Sequence, residues 1–279
     1  MHVTPTPAAQ HDAAVDRALA SAIAHRWHPV AAPIADDAVR LLLERLGPPD
    51  GARVLDLGCG FGEWLLRLLE AHPGVRGVGV DRSAPALAEA RERAAVRGLA
   101  DRVEFTEADA ATWTGGAFDV VLCVGAAHVF GGLTGTLTAL RDHLRPGGRA
   151  LLGDGFWEAG PTPEALAGIG AEPGDLPDLA GLSAEITRLG YEPGYGHLST
   201  TAEWDEYEWC WTGALTGWAL AEAAGADRAA ALEMARTHRR EWLAGYRGQL
   251  GFATVVLHDV AQGSSVNGGR VTPRPGPGS

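Results

Sequence analysis

Between residues 53 and 152, short apolar runs alternate with stretches whose apolar residues recur at helical spacing. The runs 54–57, 75–80, 103–105, 118–124 and 149–152 predict strands, and the stretches 62–71, 84–97 and 133–144 predict helices. Strands that are apolar on both faces and alternate with helices predict a parallel sheet covered on each side. Local signals agree: Ser83 with Pro85 opens one helix, Gly98 closes it, and Pro146-Gly147-Gly148 stops another. Upstream, residues 11–46 read as helices. In the second of them Asp36-Asp37 stands where a cap belongs, Val39, Leu42, Leu43 and Leu46 share a face, and Gly47-Pro48-Pro49 ends it. Downstream of Trp157 a Pro/Gly-rich stretch runs to about 178. A short helix over 183–189, an extended segment over 191–200, helices over 203–223 and 227–246 and a last strand over 250–260 follow. Residues 261–279 lack apolar content and read as disordered.

Composition narrows the chemistry. All 23 cations of the 279-residue chain are arginine, and asparagine occurs once, as Asn267. Without lysine there is no Schiff-base enzyme, no lysine base and no Walker A phosphate loop. The net charge of −12 disfavours a nucleic-acid partner; Arg91, Arg93 and Arg97 alternate with Glu89 and Glu92 as on a solvated helix face. No apolar run is long enough to span a bilayer, which predicts no membrane partner, and Met1–Gln10 lacks the basic start of a secretory signal. Cys59, Cys123 and Cys210 are too few and too scattered for a disulfide framework or a CxxC site, and with the other signs predict a cytoplasmic protein.

The strongest chemical signal is Val54-Leu55-Asp56-Leu57-Gly58-Cys59-Gly60-Phe61-Gly62, at the first strand-to-helix turn. Alternate glycines let backbone amides approach a ligand at a helix N-terminus. The dinucleotide fingerprint would need glycine where Glu63 stands. Asp81 closes the second strand, where a carboxylate can accept both ribose hydroxyls. Asp109 follows the third, where one can accept an exocyclic adenine amine.

In this combination the chain resembles the class I S-adenosylmethionine-dependent methyltransferases. The glycine motif over Asp56–Gly62, the ribose acid Asp81, the adenine acid Asp109 and the Leu144-Arg145-Pro146-Gly147-Gly148 turn before the fifth strand match in order over about residues 50–155. Narrower similarity, through Val124-Gly125-Ala126-Ala127-His128, Gly131-Gly132, Gly153-Asp154-Gly155-Phe156-Trp157 and Glu203-Trp204-Asp205-Glu206-Tyr207-Glu208, is to a bacterial branch of small-molecule methyltransferases, over about 25–260. The resemblance implies an α/β, Rossmann-like seven-stranded sheet, mostly parallel with its last strand antiparallel. It implies an N-terminal helical lid (1–46), a cofactor-binding core (47–200 and 249–260) and a helical insert over 201–248 acting as a substrate lid. It further implies that S-adenosyl-L-methionine is held by Asp56, Gly58, Cys59, Gly60, Asp81, Arg82, Asp109, Ala110 and Val124.

Methyl transfer from a sulfonium is an in-line displacement, in which the enzyme chiefly aligns groups, excludes water and sometimes removes a proton. The chain lacks the Asp/Asn-Pro-Pro-Tyr of amine-modifying enzymes after its fourth strand, and Cys123 lies within that strand instead of forming a Pro-Cys nucleophile. It also lacks the acidic and Asn ligands of metal-dependent relatives, so no metal site is predicted. His128, just past the fourth strand, is the candidate general base, or merely closes a helical turn. Asp154 and Trp157, placed after the fifth strand, are candidate substrate contacts; Trp157 reads equally as core. Trp204, Tyr207 and Trp211 share a helical face that either packs the insert or, through Tyr207 and Trp211, walls an acceptor pocket. The segment His25-Arg26-Trp27-His28-Pro29 forms the other side of a lid, and Glu206 and Glu208 read as solvated. The expected reaction is methylation of an oxygen or nitrogen of a small molecule. A non-methylating reaction such as cyclisation or decarboxylation on the same cofactor, and a non-catalytic binding module, are the alternatives.

Overall fold

The computed structural model describes residues 17–260. Residues 1–16, the start of the first expected helix, and 261–279, the expected disordered tail, lie outside them. The strands are β1 (Arg53–Leu57), β2 (Arg76–Asp81), β3 (Val103–Glu107), β4 (Phe118–Val124), β5 (Leu144–Trp157), β6 (Tyr191–Leu198) and β7 (Leu250–Asp259). The helices are α1 (Arg17–Ala24), α2 (Asp36–Leu46), α3 (Glu63–Ala71), α4 (Ala84–Val96), α5 (Leu133–His143), α6 (Pro163–Ile169), α7 (Leu179–Arg188), α8 (Thr201–Ala221) and α9 (Gly225–Glu241). The strands form one sheet in the order β3-β2-β1-β4-β5-β7-β6. Strands β1 to β5 are mutually parallel, and β7 runs antiparallel to both β5 and β6.

Period-two alternation distributes the strands' side chains. Val54, Val120, Leu122 and Leu151 meet α2, α3 and α4 on one face; Leu55, Val121, Cys123 and Leu152 meet α5 and α7 on the other. Asp56 shares the parity of Val54 at the C-terminal end of β1, so the sheet carries a carboxylate where its pattern calls for an apolar residue. The order reverses between β1 and β4, and the crevice at that switch point is where open α/β sheets place ligands.

Four expectations need correction. Strand β5 is far longer than residues 149–152, because Gly153–Trp157 pairs antiparallel with β7 from Thr254 back to Leu250. Asp154 and Trp157 therefore lie within β5 and not after it. Likewise the Pro146-Gly147-Gly148 turn is absorbed into β5 as an irregularity: pairing with β4 jumps from Phe118↔Leu144 to Val120↔Arg149. The Pro/Gly-rich stretch holds α6, opened by Pro163 and by the Thr162 hydroxyl accepting Ala165 N–H at 3.2 Å, and α7 starts at Leu179 under an Asp178 cap. Finally, Asp36 and Asp37 do not cap α2. Its N-cap is Ala35, whose N–H donates to Glu203 Oε1 at 2.9 Å, while Asp36 accepts from Arg67 at 2.6 Å.

Candidate functional site

After β1 the chain turns through Gly58, Gly60 and Gly62 at φ of 73°, 50° and 71°, the left-handed region where glycine alone is unstrained. A Cβ on Gly58 would lie 2.5 Å from that of Ala126, so this backbone passes directly under the β4 loop, whereas one on Gly60 would meet nothing within 4 Å. Asp81, ending β2, fixes the loop: its Oδ2 accepts Gly60 N–H and its Oδ1 accepts Ser83 N–H, both at 2.8 Å. Above the loop lies a cavity of about 290 Å³ lined by Asp56, Gly58, Cys59, Gly60, Asp81 and Val124 below and by His25 and Ala31 above. Six of the sequence-predicted site residues thus come together.

Asp56 is the electrostatic anomaly of this cavity. It is 4% exposed, its Oδ2 has no hydrogen-bond partner, and burial, reinforced by the charge of Asp81, pushes its carboxyl up to about 8. Burial also pushes the Cys59 thiol up, which makes it a poor nucleophile. Glu63, which the sequence reading passed over, lines the same cavity. Burial opposes its charge, yet bonds from Arg67 (2.8 Å) and Arg97 (2.7 Å) outweigh it and hold the carboxyl below its usual range.

The roof comes from α1 and the segment after it. His25 Nδ1 lies 2.8 Å from the Ser21 carbonyl, so that nitrogen carries the proton; Nε2 then accepts from Tyr207 Oη at 3.1 Å. Burial, with His28 nearby, lowers the pKa of His25 and keeps it neutral. Ala31 sits at φ 54°, a strained conformation for a residue with a Cβ. Trp27, 62% exposed, rests on α8 where a Cβ on Gly213 would approach its ring to 2.8 Å.

A second hollow of about 180 Å³ shares Gly58 and Asp81 with the first and is lined also by Arg82, Ala110 and His128. Asp109 is exposed beside it, with its Oδ1 accepting Ala111 N–H at 3.0 Å. His128 is exposed and also borders an open groove of about 800 Å³ with Asp154, whose carboxyl burial pushes up to about 6. His128 thus lines the hollow of Arg82 and Ala110 and not the cavity under α1.

The insert contributes differently from expectation. Tyr207 reaches the cavity through His25. Trp211 stacks on His238 of α9 at 3.9 Å, and Trp157 is buried against Ala165, Trp242 and Tyr246; packing, not a cavity wall, occupies both. Glu208 is not solvated: it is 2% exposed and accepts from His238 Nε2 and Tyr246 Oη, each at 2.7 Å. Its partner His238 is 30 residues on, so no local pattern could have revealed it. Among the described residues no cluster of side chains suits a metal ion, and no helix is long and apolar enough to cross a membrane.

A family model described as a methyltransferase domain matches residues 54–148. The protein YjhP of Escherichia coli (strain K12) is 34% identical over 190 residues, covering 67% of this chain and 76% of that protein. A trans-aconitate 2-methyltransferase of Azoarcus sp. (strain BH72) is 38% identical over 112 residues, 40% of this chain and 42% of that enzyme. A crystal structure of an S-adenosylmethionine-dependent methyltransferase from Geobacter sulfurreducens, in complex with S-adenosyl-L-homocysteine, superposes with a TM-score of 0.79 at 32% identity, covering 85% of this chain and 96% of that one.

Proposed function

Because the chain belongs to the class I S-adenosylmethionine-dependent methyltransferases, we propose that it binds S-adenosyl-L-methionine over the Gly58–Gly62 loop and methylates an oxygen or nitrogen of a small molecule held beneath α1. The observation that carries this reading is the unpartnered, buried Asp56 Oδ2 beside a glycine loop that is open at Gly60. A buried carboxylate without a donor is costly, and a bound ammonium would supply the missing partner. The residues present therefore fit the cofactor. Asp56 and the loop amides would hold its amino-acid end, Asp81 its ribose, and Arg82, Ala110 and Asp109 would flank its base. When bound, the cofactor supplies a methyl group on a sulfonium, open to in-line attack.

The chain's own residues do the remaining work. The residues of α1 with Ala31 cover the cavity from above, where they would shield the reacting groups from water. A hydroxyl or amine acceptor releases a proton as its bond to the methyl forms. We assign that proton to His25 Nε2 in preference to His128, because His25 lines the same cavity as Asp56 and its tautomer leaves Nε2 unprotonated, its lone pair released once the Tyr207 hydroxyl turns away.

Titration calorimetry with S-adenosylmethionine and S-adenosylhomocysteine tests the binding step. Saturable binding of both is expected, and none at about 1 mM, an affinity worth about 4 kcal/mol, would overturn it. A substrate screen with methyl-labelled cofactor then tests transfer: label in a small acceptor, lost in His25→Ala but retained in His128→Ala, is the expected pattern. Conversion of a substrate without label transfer would point to the non-methylating alternative.

A further inference from the structure

A second cavity, of about 190 Å³, lies where β5, β6, β7 and the start of α8 converge. Its walls include Ser199, Trp204, Trp242, Tyr246, Arg247 and Glu158, and none of the residues lining it lines the cavity over the glycine loop. Trp242 and Tyr246 belong to a single π-helical turn, Trp242–Tyr246, that follows α9. Such turns are uncommon and concentrate at functional sites.

Hydrogen bonding in this cavity is lopsided. The indole N–H groups of Trp204 and Trp242 and the hydroxyl of Ser199 are all buried and have no partner in the protein. Ser199 is 6% and Trp242 1% exposed, so neither group can turn to bulk water instead. Native proteins leave few buried polar groups unsatisfied, and three on the walls of one cavity call for an occupant. Arg247 and Tyr246 are already engaged. Arg247 makes two 2.8 Å bonds to Asp205, and Tyr246 Oη donates to Glu208 at 2.7 Å. What remains is two donors that cannot accept, the hydroxyls of Ser199 and the exposed Thr201, aromatic surface, and the carboxylate of Glu158 at an exposed position.

We propose that this cavity is a binding site for a small planar molecule bearing a neutral carbonyl acceptor, such as a cyclic amide or an aromatic carboxamide. Its carbonyl accepts from the two indoles and Ser199, its ring packs among them, and an N–H on its outer edge donates to Glu158. A carboxylate is the poorer ligand, because Arg247 is already charge-paired with Asp205 and Glu158 repels it. The volume suits one ring: an apolar cavity of about 150 Å³ is known to take benzene.

Benzamide is the probe, with benzoate and toluene as comparisons, on the full chain by calorimetry and by NMR of the tryptophan indole N–H signals. Saturable millimolar binding of benzamide is expected, at least about threefold tighter than benzoate and toluene. Two indole signals, absent in Trp204→Phe and Trp242→Phe respectively, should move on titration. Ser199→Ala and Trp204→Phe should each weaken benzamide roughly five- to tenfold, with thermal melting confirming that the variants fold. If Trp242→Phe does not fold, the other two variants decide. No saturable binding, toluene or benzoate binding as tightly as benzamide, or unchanged affinity in both Ser199→Ala and Trp204→Phe would overturn the proposal. S-adenosylhomocysteine binding is measured in parallel and fails or succeeds independently.

Discussion

Two regions built on opposite plans face each other across the cavity. The cradle below is made of neighbours in sequence. Residues 54–83 supply the loop, the Asp56 carboxylate and the Asp81 anchor, and the decisive bonds join backbone amides to one side chain. The cap above is made of distant residues joined by side chains: His25 to Tyr207, Arg26 to Glu222, Glu208 to His238 and Tyr246. A backbone cradle tolerates little variation in position but needs few particular residue types. A side-chain cap is the converse, and under the proposed function it is the part free to define an acceptor.

Glu208→Ala gives the largest expected effect and breaks the cap alone. It leaves Tyr246 Oη and His238 without their buried acceptor between α8 and α9. Removing one member of such a buried polar pair costs about 3 kcal/mol, which at about 2–4 °C per kcal/mol lowers the melting temperature by roughly 6–12 °C. Affinity for S-adenosylhomocysteine should stay within about threefold, since no cradle bond is touched. A parallel collapse of cofactor binding would show that the two regions are one unit.

Asp81→Ala is the reciprocal experiment. The charge-assisted bonds to Gly60 of the loop and to Ser83 disappear together with the proposed ribose acceptor, each bond worth about 1.5–3 kcal/mol. Cofactor affinity should fall by roughly 100-fold or more in calorimetry. Wild-type affinity would remove Asp81 from the site.

Asp56→Asn sharpens the contrast by moving stability and function in opposite directions. The carboxyl is raised from 3.8 in the open chain to about 8 in the fold, so the folded state holds the extra proton. The stability this confers is complete below about pH 4 and is lost as pH rises through about 8. The neutral amide removes that slope. Without ligand, Asp56→Asn should therefore melt higher than wild type at pH 8, by an amount on the order of 1–3 kcal/mol, and the gap should shrink at pH 5. Its cofactor binding should weaken, because the ammonium loses its counter-charge. A gap that is equal at both pH values would mean that Asp56 is paired after all.

The same division explains what the sequence disclosed. Sheet, glycine loop and Asp81 were legible because each rests on local chemistry: period-two apolar runs, glycines at positive φ, an acid at a strand end. Strand β5 was underestimated because Gly153-Asp154-Gly155 reads as loop until β7, about a hundred residues later, supplies its ladder. Glu208 was misread for the same reason, since its burial depends on His238 and Tyr246. Trp157 and Trp211 look identical in sequence whether they line a pocket or fill a core, and only the arrival of α6 and α9 decides.

Asp109→Ala carries the smallest expected effect and tests the edge of the cradle. Asp109 matches the family position for the adenine amine, yet it is exposed, and its Oδ1 already accepts Ala111 N–H in a tight turn. Only Oδ2 is free for a base, and one solvent-exposed hydrogen bond contributes about 0.5–1.5 kcal/mol, so affinity should drop by roughly two- to tenfold. Asp109→Asn separates the two roles. Its amide oxygen can still accept from Ala111, but its NH2 group meets the adenine amine donor to donor. If Asn costs as much as Ala in calorimetry, Asp109 acts on the base. If Asn restores wild-type affinity, Asp109 serves only to shape the turn that positions Ala110, and the adenine is held without a carboxylate.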